Sequence, residues 1–313
     1  MKSPYIFLFQ IAVCVSAPAD TLSNLNHFFS SSRPDYDPAS IEGDVAVGDP
    51  VYAPISPADS DFGVQQVLGT YSGRAPVDVT FDTSINHTDN APGEIPFNDD
   101  ASWFSASRLA LTWRPRIAYG WFADIGIAQE LIRFERDKAI DFENFLPHLG
   151  VVKSIPELDD LIYFARYEYQ RITVGSLADS TYSAQRIRSG FQKDLLLTAR
   201  YQLSTGIDAA IDLAADSTAQ ERNEYSADVS YTYRFADHLS STLSWTGSMW
   251  DFQGSKRQDW NHIVGLELTW KPHENTSIYT NFFYSNHDSN EGFGANDYEA
   301  WQSGIGLGLN YSF

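Results

Sequence analysis

The sequence predicts an all-β fold, a transmembrane antiparallel up-and-down β-barrel of about 12 strands, with 14 as the alternative count. Three observations carry that expectation. From Val77 onward apolar and polar side chains alternate with a period of two, the spacing at which neighbours on a strand face opposite sides of a sheet. The apolar face so defined has nothing to cover it, because the chain supplies neither the continuous apolar runs nor the amphipathic helices of a second layer. Its aromatic residues, among them 8 Trp and 17 Tyr, fall near the ends of the alternating segments. The formal net charge of −20 excludes nucleic acid as a partner, since a phosphate backbone requires clustered Lys and Arg. Cys14 is the single cysteine, which excludes a disulfide scaffold, a Cys-rich zinc site and a thiol nucleophile.

Taken in chain order, residues 1–19 have the form of a secretory signal peptide. Lys2 precedes an apolar run from Tyr5 to Val15, and Ser16-Ala17-Pro18-Ala19 ends it with a cleavage site expected after Ala19. Ile11-Ala12-Val13-Cys14 departs from a lipoprotein box, because Val13 stands where a small residue is required. Residues 20–76 contain Ser30-Ser31-Ser32, Pro34, Pro38, Pro50, Pro54, Pro57, Pro76 and many Asp, with little periodicity. They are expected to form an irregular periplasmic segment acting as a plug, a tether or a spacer.

The barrel is expected over 77–313. Val77, Val79, Phe81, Thr83 and Ile85 share one face of the first strand. Trp301, Ser303, Ile305, Leu307, Leu309, Tyr311 and Phe313 share one face of the last, with Gly304, Gly306 and Gly308 on the other. The expected strands are 77–86, 102–113, 119–133, 143–153, 160–171, 182–201, 206–215, 224–234, 239–252, 259–271, 275–287 and 300–313. Within the long sixth one, Lys193-Asp194 marks a bulge or an extra turn.

The connections alternate in character. Short ones follow an aromatic or basic strand end, at Trp113-Arg114-Pro115, Tyr201-Gln202-Leu203, Tyr233-Arg234-Phe235 and Trp270-Lys271-Pro272. The others are generally longer and polar, at 86–101, 135–141, 173–181, 216–224, 253–258 and 287–298. Short turns face the periplasm in bacterial barrels, so an even strand count puts both termini there. The outward face then carries two aromatic girdles. Trp113, Trp121, Tyr201, Tyr233, Trp270, Tyr311 and Phe313 lie near the short turns, and Trp103, Tyr169, Tyr225, Trp260, Tyr284 and Trp301 near the long loops. Leu109, Leu111, Ile125, Ile127, Ile211, Leu213, Val229, Leu243, Val264, Leu266, Ile305 and Leu307 fill the band between them.

The ending Gly308-Leu309-Asn310-Tyr311-Ser312-Phe313 resembles the C-terminal β-signal of bacterial outer-membrane proteins, in which Gly308, Tyr311 and Phe313 hold the characteristic positions. The resemblance implies recognition by the barrel-assembly machinery and residence in the outer membrane, among its lipid and lipopolysaccharide. More narrowly, the chain from Ser56-Pro57-Ala58-Asp59-Ser60-Asp61 through Phe164-Ala165-Arg166-Tyr167-Glu168-Tyr169 and Arg257-Gln258-Asp259-Trp260-Asn261 resembles uncharacterised proteins of the β-barrel porin 2 type. That resemblance implies no catalytic residues, and for some members it suggests a link to polysaccharide export.

Inward positions carry Arg108, Arg166, Arg186, Arg188, Arg200 and Arg234 against Asp124, Glu130, Glu168, Asp208, Asp212, Asp228 and Glu267. Arg186 and Arg188 stand out, two guanidiniums on one strand face about 7 Å apart. They form either an anion-attracting constriction or ion pairs with Asp208 and Asp212 on the next strand. Inward aromatics Phe122, Phe164, Trp250, Phe252, Tyr279 and Phe283 line a sugar track or simply fill space. Two functions follow. One is a narrow porin or channel for small hydrophilic solutes, saccharides included. The other is a closed-lumen structural or interaction protein of the outer membrane.

An enzyme is not expected, and neither is a cofactor or a metal centre. A phospholipase-like barrel needs a lipid-facing His and Ser two residues apart at the outer rim, but His262 is followed at that spacing by Val264. Protease-like pairs fit only loosely at His287-Asp288 and His87 with Asp89. The acidic run 288–297 suits at most weak divalent-cation bridging to lipid phosphates.

Overall fold

The computed structural model describes residues 77–90, 101–136, 141–158, 161–174, 180–198, 200–216, 221–290 and 297–313. The expectations for residues 1–76, the signal peptide and the plug, tether or spacer, lie outside them. The described residues form β1 (Val77–Thr88), β2 (Ser102–Trp113), the short β3 (Arg116–Ala118), β4 (Trp121–Phe134), β5 (Phe142–Ile155), β6 (Leu161–Val174), β7 (Ser180–Thr198), β8 (Tyr201–Ala215), β9 (Arg222–Ala236), β10 (Leu239–Phe252), β11 (Gln258–His273), β12 (Thr276–Ser289) and β13 (Tyr298–Ser312).

Each long strand pairs antiparallel with its neighbours in sequence, and two further pairings close the ring. β2 pairs with β4 past β3, with Arg108 opposite Glu130. β1 pairs with β13, with Asp78 opposite Ser312 and Ile85 opposite Ile305. At the seam the Phe313 amide donates to the Val77 carbonyl at 2.9 Å, and the Val77 amide donates to the Phe313 carbonyl at 3.3 Å. The barrel therefore has no open edge, and its long strands satisfy their backbone groups within the sheet, the condition for crossing hydrocarbon.

The alternation decides which side faces lipid. Ile85 and Ile305 are each 59% exposed, and Leu109, Leu111, Ile127, Ile211, Leu213, Leu243 and Leu266 are exposed with them. Trp113, Tyr201, Trp270, Tyr311 and Phe313 are exposed at one level, and Trp103, Tyr225, Trp260 and Trp301 at the other. Ile125, Trp121, Tyr169, Tyr233 and Tyr284 are half-buried against outward neighbours. A closed sheet with large apolar side chains outside, aromatic rings at both rims and charges inside is built for a bilayer.

Several boundaries differ from the sequence expectation. Tyr201-Gln202-Leu203, expected as a turn, opens β8, and β7 ends at Thr198. Likewise Tyr233-Arg234-Phe235 and Trp270-Lys271-Pro272 lie within β9 and β11, and the chain reverses at 237–238 and 274–275. The aromatic at each strand end anchors the barrel at the membrane rim, so it marks the headgroup level and the turn follows a few residues later. Pro272 leaves a trace of its own. The β11–β12 register slips between Trp270 and His273, where a residue without an N–H cannot continue the ladder.

Lys193-Asp194 makes no extra turn. Lys193 pairs with Thr205 and Asp194 with Ser204, so β7 stays whole and the count is twelve long strands rather than fourteen. At the other end β12 runs on to Ser289. His287, expected at the junction of a strand and an outer loop, therefore sits inside the sheet and faces inward, as its burial shows.

Candidate functional site: the lumen

Twelve strands about 4.8 Å apart and tilted by about 40° enclose a ring about 24 Å across, backbone to backbone. What remains open depends on the size of the inward side chains, and these divide the wall into two arcs. On β4 to β8 they are long or aromatic and buried, with Asp124, Asn144, Val152 and Phe164 at 0% exposure. On β9 and β10 they are short and hydroxylated, Ser230, Thr232, Thr242, Ser244, Thr246 and Ser248, and they are half-buried because they face open space. A cavity of about 1670 Å³ lies between the arcs, from the turn residues Glu274 and Asn275 at one end to Trp250 and Asn261 towards the other; this second arc borders it with hydroxyls, while Glu130, Arg166, Arg186, Arg188 and Asp208 border it from the first.

The buried arc is layered. Nearest the short turns, Phe122, Val152, Ile162 and Phe164 pack together. Nearest the long connections, Phe104, Ile132, Phe134, Phe142, Ile172 and Tyr182 form a second apolar cluster. Between them runs a belt of charge. Arg108 Nε lies 3.1 Å from Glu130 Oε1, and Asn144 donates to Glu130 Oε2 at 2.8 Å. Arg166 pairs with Glu168 on its own strand. Arg188 meets Glu168 at 3.4 Å, Asp208 at 2.5 Å and Glu224 at 3.3 Å, while Arg186 meets Asp212 at 3.1 Å and Glu224 at 3.8 Å. The belt thus links β6, β7, β8 and β9. Close pairing is what permits this much charge away from bulk water.

The two readings of Arg186 and Arg188 now separate in geometric terms. The structure makes the ion pairs with Asp212 and Asp208 and adds Glu168 and Glu224 to them. Arg108, Arg166 and Glu168 join the same belt, which borders the cavity from one side, and Asp228 and Glu267 border it from the hydroxylated arc. Arg200 and Arg234, expected inward, are exposed at the short-turn rim. Arg200 is a turn residue beyond the end of β7, whereas Arg234 is still within β9 and reaches Gln202 Oε1 at 3.3 Å. Asp124 faces inward with Arg114 at 3.1 Å and His148 at 3.6 Å.

Arg222 escaped the sequence reading because it was assigned to a polar loop over 216–224, and Glu224 because it stood where that loop meets the strand expected over 224–234. β9 begins at Arg222, and extending the inward parity of Asp228 and Ser226 by two and three steps would have found both.

On the open arc Tyr279 donates to Asp82 Oδ1 at 2.5 Å, across the intervening strand β13. Gly306 makes this possible, since a Cβ there would lie 2.2 Å from Tyr279 Cζ. The ring lies flat on bare backbone and leaves the lumen clear. Glu267 accepts from Thr269 Oγ1 at 2.5 Å. Of the expected assembly residues, Tyr311 and Phe313 point outward, while Gly308 sits inward against Ser277. Phe122, Phe164, Trp250 and Phe252 are buried inward, and Tyr279 and Phe283 line the cavity.

His262 and Val264 are exposed on the lipid side, as expected. Among the described residues no group of three His, Cys, Asp or Glu is arranged to hold a metal ion.

With this geometry in hand, similarity to known proteins can be stated. The barrel is similar to the crystal structure of an outer membrane channel from Pseudomonas putida F1, with a TM-score of 0.53 at 10% identity, over 76% of this chain and 96% of that one. The fold is that of an outer-membrane β-barrel. A looser likeness, at a TM-score of 0.42 and 9% identity over 75% of this chain and 96% of the other, links it to the outer membrane channel DcaP of Acinetobacter baumannii. No protein-family model and no curated protein matches the sequence.

Proposed function

We propose that this barrel passes small hydrophilic solutes, saccharides among them, across an outer membrane, along the hydroxylated arc of its lumen. The observation that carries this reading is the cavity itself, about 1670 Å³ in volume, lined by hydroxyls on one side and by a belt of compensated charge on the other. The two-residue turns at 237–238 and 274–275 and both ends of the barrel lie on one rim, which supports a periplasmic position for that rim and for both termini. Liposome swelling tests the reading. Vesicles carrying the folded protein should swell in glycerol and glucose and progressively less in longer oligosaccharides, and swelling no faster than protein-free vesicles would reject it.

A second reading, a closed structural or interaction protein with a role in polysaccharide export among its options, is favoured by a different observation. Near the long connections Phe134, Phe142, Tyr182, Phe252 and Tyr298 are all buried, so bulky side chains crowd that end. In either reading lipid and lipopolysaccharide meet the outer face, and no chemistry is assigned to the protein as an enzyme. Gly308, Tyr311 and Phe313 are proposed as the signal read by the barrel-assembly machinery. Replacing Phe313 by Asp should then reduce the folded, heat-modifiable form in membranes.

A further inference from the structure

Arg222 is the exception in the charged belt. Arg108, Arg166, Arg186 and Arg188 each have a carboxylate within ion-pair distance. Arg222 is 8% exposed, yet its guanidinium makes no ion pair with any carboxylate among the described residues. The nearest acids are already engaged. Asp212 binds Arg186 and accepts the Arg222 backbone amide at 3.1 Å, and Glu224 binds Arg186 and Arg188. The guanidinium instead lies over the Trp250 ring, 4.2 Å from its centroid, and His287 packs against the same indole at 5.4 Å.

Two more unsatisfied groups stand beside it on the cavity wall. Trp250 and Asn261 are each 4% exposed, and Trp250 Nε1, Asn261 Oδ1 and Arg222 Nε all lack a hydrogen-bond partner. The three side chains border the cavity on adjacent strands, with Trp250 opposite Glu224 on β9 and Asn261 opposite Ser248 on β10. Burying a cation and two polar groups without partners costs free energy that a purely structural wall has no reason to bear. A partner that arrives from the lumen removes that cost.

We propose that Arg222, Trp250 and Asn261 form a binding station for a small carboxylated, hydroxyl-bearing solute, a sugar acid in chemical class. The guanidinium fork takes the carboxylate, the indole N–H donates to an oxygen, and Asn261 Oδ1 accepts from a hydroxyl. The guanidinium lies over the indole, so the ligand is held by hydrogen bonds and charge rather than by stacking on that face. The station deepens the solute-passage reading and rests on it for the route by which the ligand arrives and leaves.

Isothermal titration calorimetry of gluconate into the folded full-length protein in detergent tests the proposal, with acetate and glucose as probes carrying only the carboxylate or only the hydroxyls. Gluconate should bind saturably and more tightly than either. Arg222→Gln should weaken it at least tenfold and Asn261→Ala about threefold. Because Arg222 has no ion pair to lose, Arg222→Gln should keep heat-modifiable mobility, and if it does not fold, Trp250→Phe carries the same test by removing one donor. No saturable gluconate binding, or equal affinity in the wild type and Arg222→Gln, overturns the proposal. Saturable binding by a protein that swells no liposomes rejects solute passage and leaves the station standing, whereas swelling without binding rejects the station alone.

Discussion

The arc from β4 to β8 and the arc from β9 to β13 obey one alternation and end in opposite states. In the first, Arg188 is held by Glu168, Asp208 and Glu224 between two apolar clusters, and buried side chains fill the lumen up to the cavity. In the second, Ser244, Thr246 and the bare backbone of Gly306 leave the space open. Period two fixes only which way a side chain points. The size of the inward residue then decides whether a stretch of wall braces the barrel or borders a path.

That contrast is open to attack in order of effect. Arg188→Ala should be the most damaging change, because it removes the partner that Glu168, Asp208 and Glu224 share. We expect a loss of roughly 3 to 5 kcal/mol in stability, whereas Ser244→Ala on the open arc should stay within about 0.5 kcal/mol. Urea unfolding followed by gel mobility compares the two, and similar losses would erase the distinction between the arcs.

Next comes Gly306→Val, which drives the added side chain into the Tyr279 ring. It should cost roughly 1 to 3 kcal/mol and reduce conductance as the ring swings into the lumen. Combining it with Tyr279→Ala should restore conductance, and failure to do so would place the ring elsewhere.

Charge selectivity should follow the open arc as well. Glu267→Gln should move the reversal potential in a salt gradient towards anions. The swap of Arg186 and Asp212, which keeps their pair neutral, should leave it within error. A larger shift from the swap would mean that the belt, not the open arc, meets the permeating ions. The smallest effect is expected for Thr232→Val with Thr242→Val, whose hydroxyls are 2.9 Å apart. Stability should change by about 1 kcal/mol or less while conductance falls measurably, as a dewetted patch replaces two hydroxyls.

Much of this was legible in the sequence, for reasons the structure makes plain. Lipid imposes a strict rule on outward positions, so Leu109, Leu266, Ile305 and the two aromatic rims could be placed from parity alone. Inward residues obey a weaker rule. Parity put Arg186, Arg188, Asp208 and Asp212 inside, but their pairing depends on register, and β7 slips against β8 between Gln185 and Arg186. Strand ends were less legible still. Arg222 read as loop, and Glu224 and His287 as strand ends, because polar residues continue beyond the bilayer on strands that do not stop there. Gly304, Gly306 and Gly308 were seen to share a face, but only the packed Tyr279 ring explains why one of them has to be bare.

The central claim, a water path along the hydroxylated arc, is tested most directly by single-channel recording from single-cysteine variants without Cys14. Ser244→Cys places a thiol on the open arc, and Ala210→Cys places one at a position 1% exposed beneath the charged belt. Discrete conductance steps that shrink when a thiosulfonate reagent modifies residue 244, and persist unchanged for residue 210, are the result the account predicts. Silence from a folded barrel, or block through residue 210 alone, would contradict it.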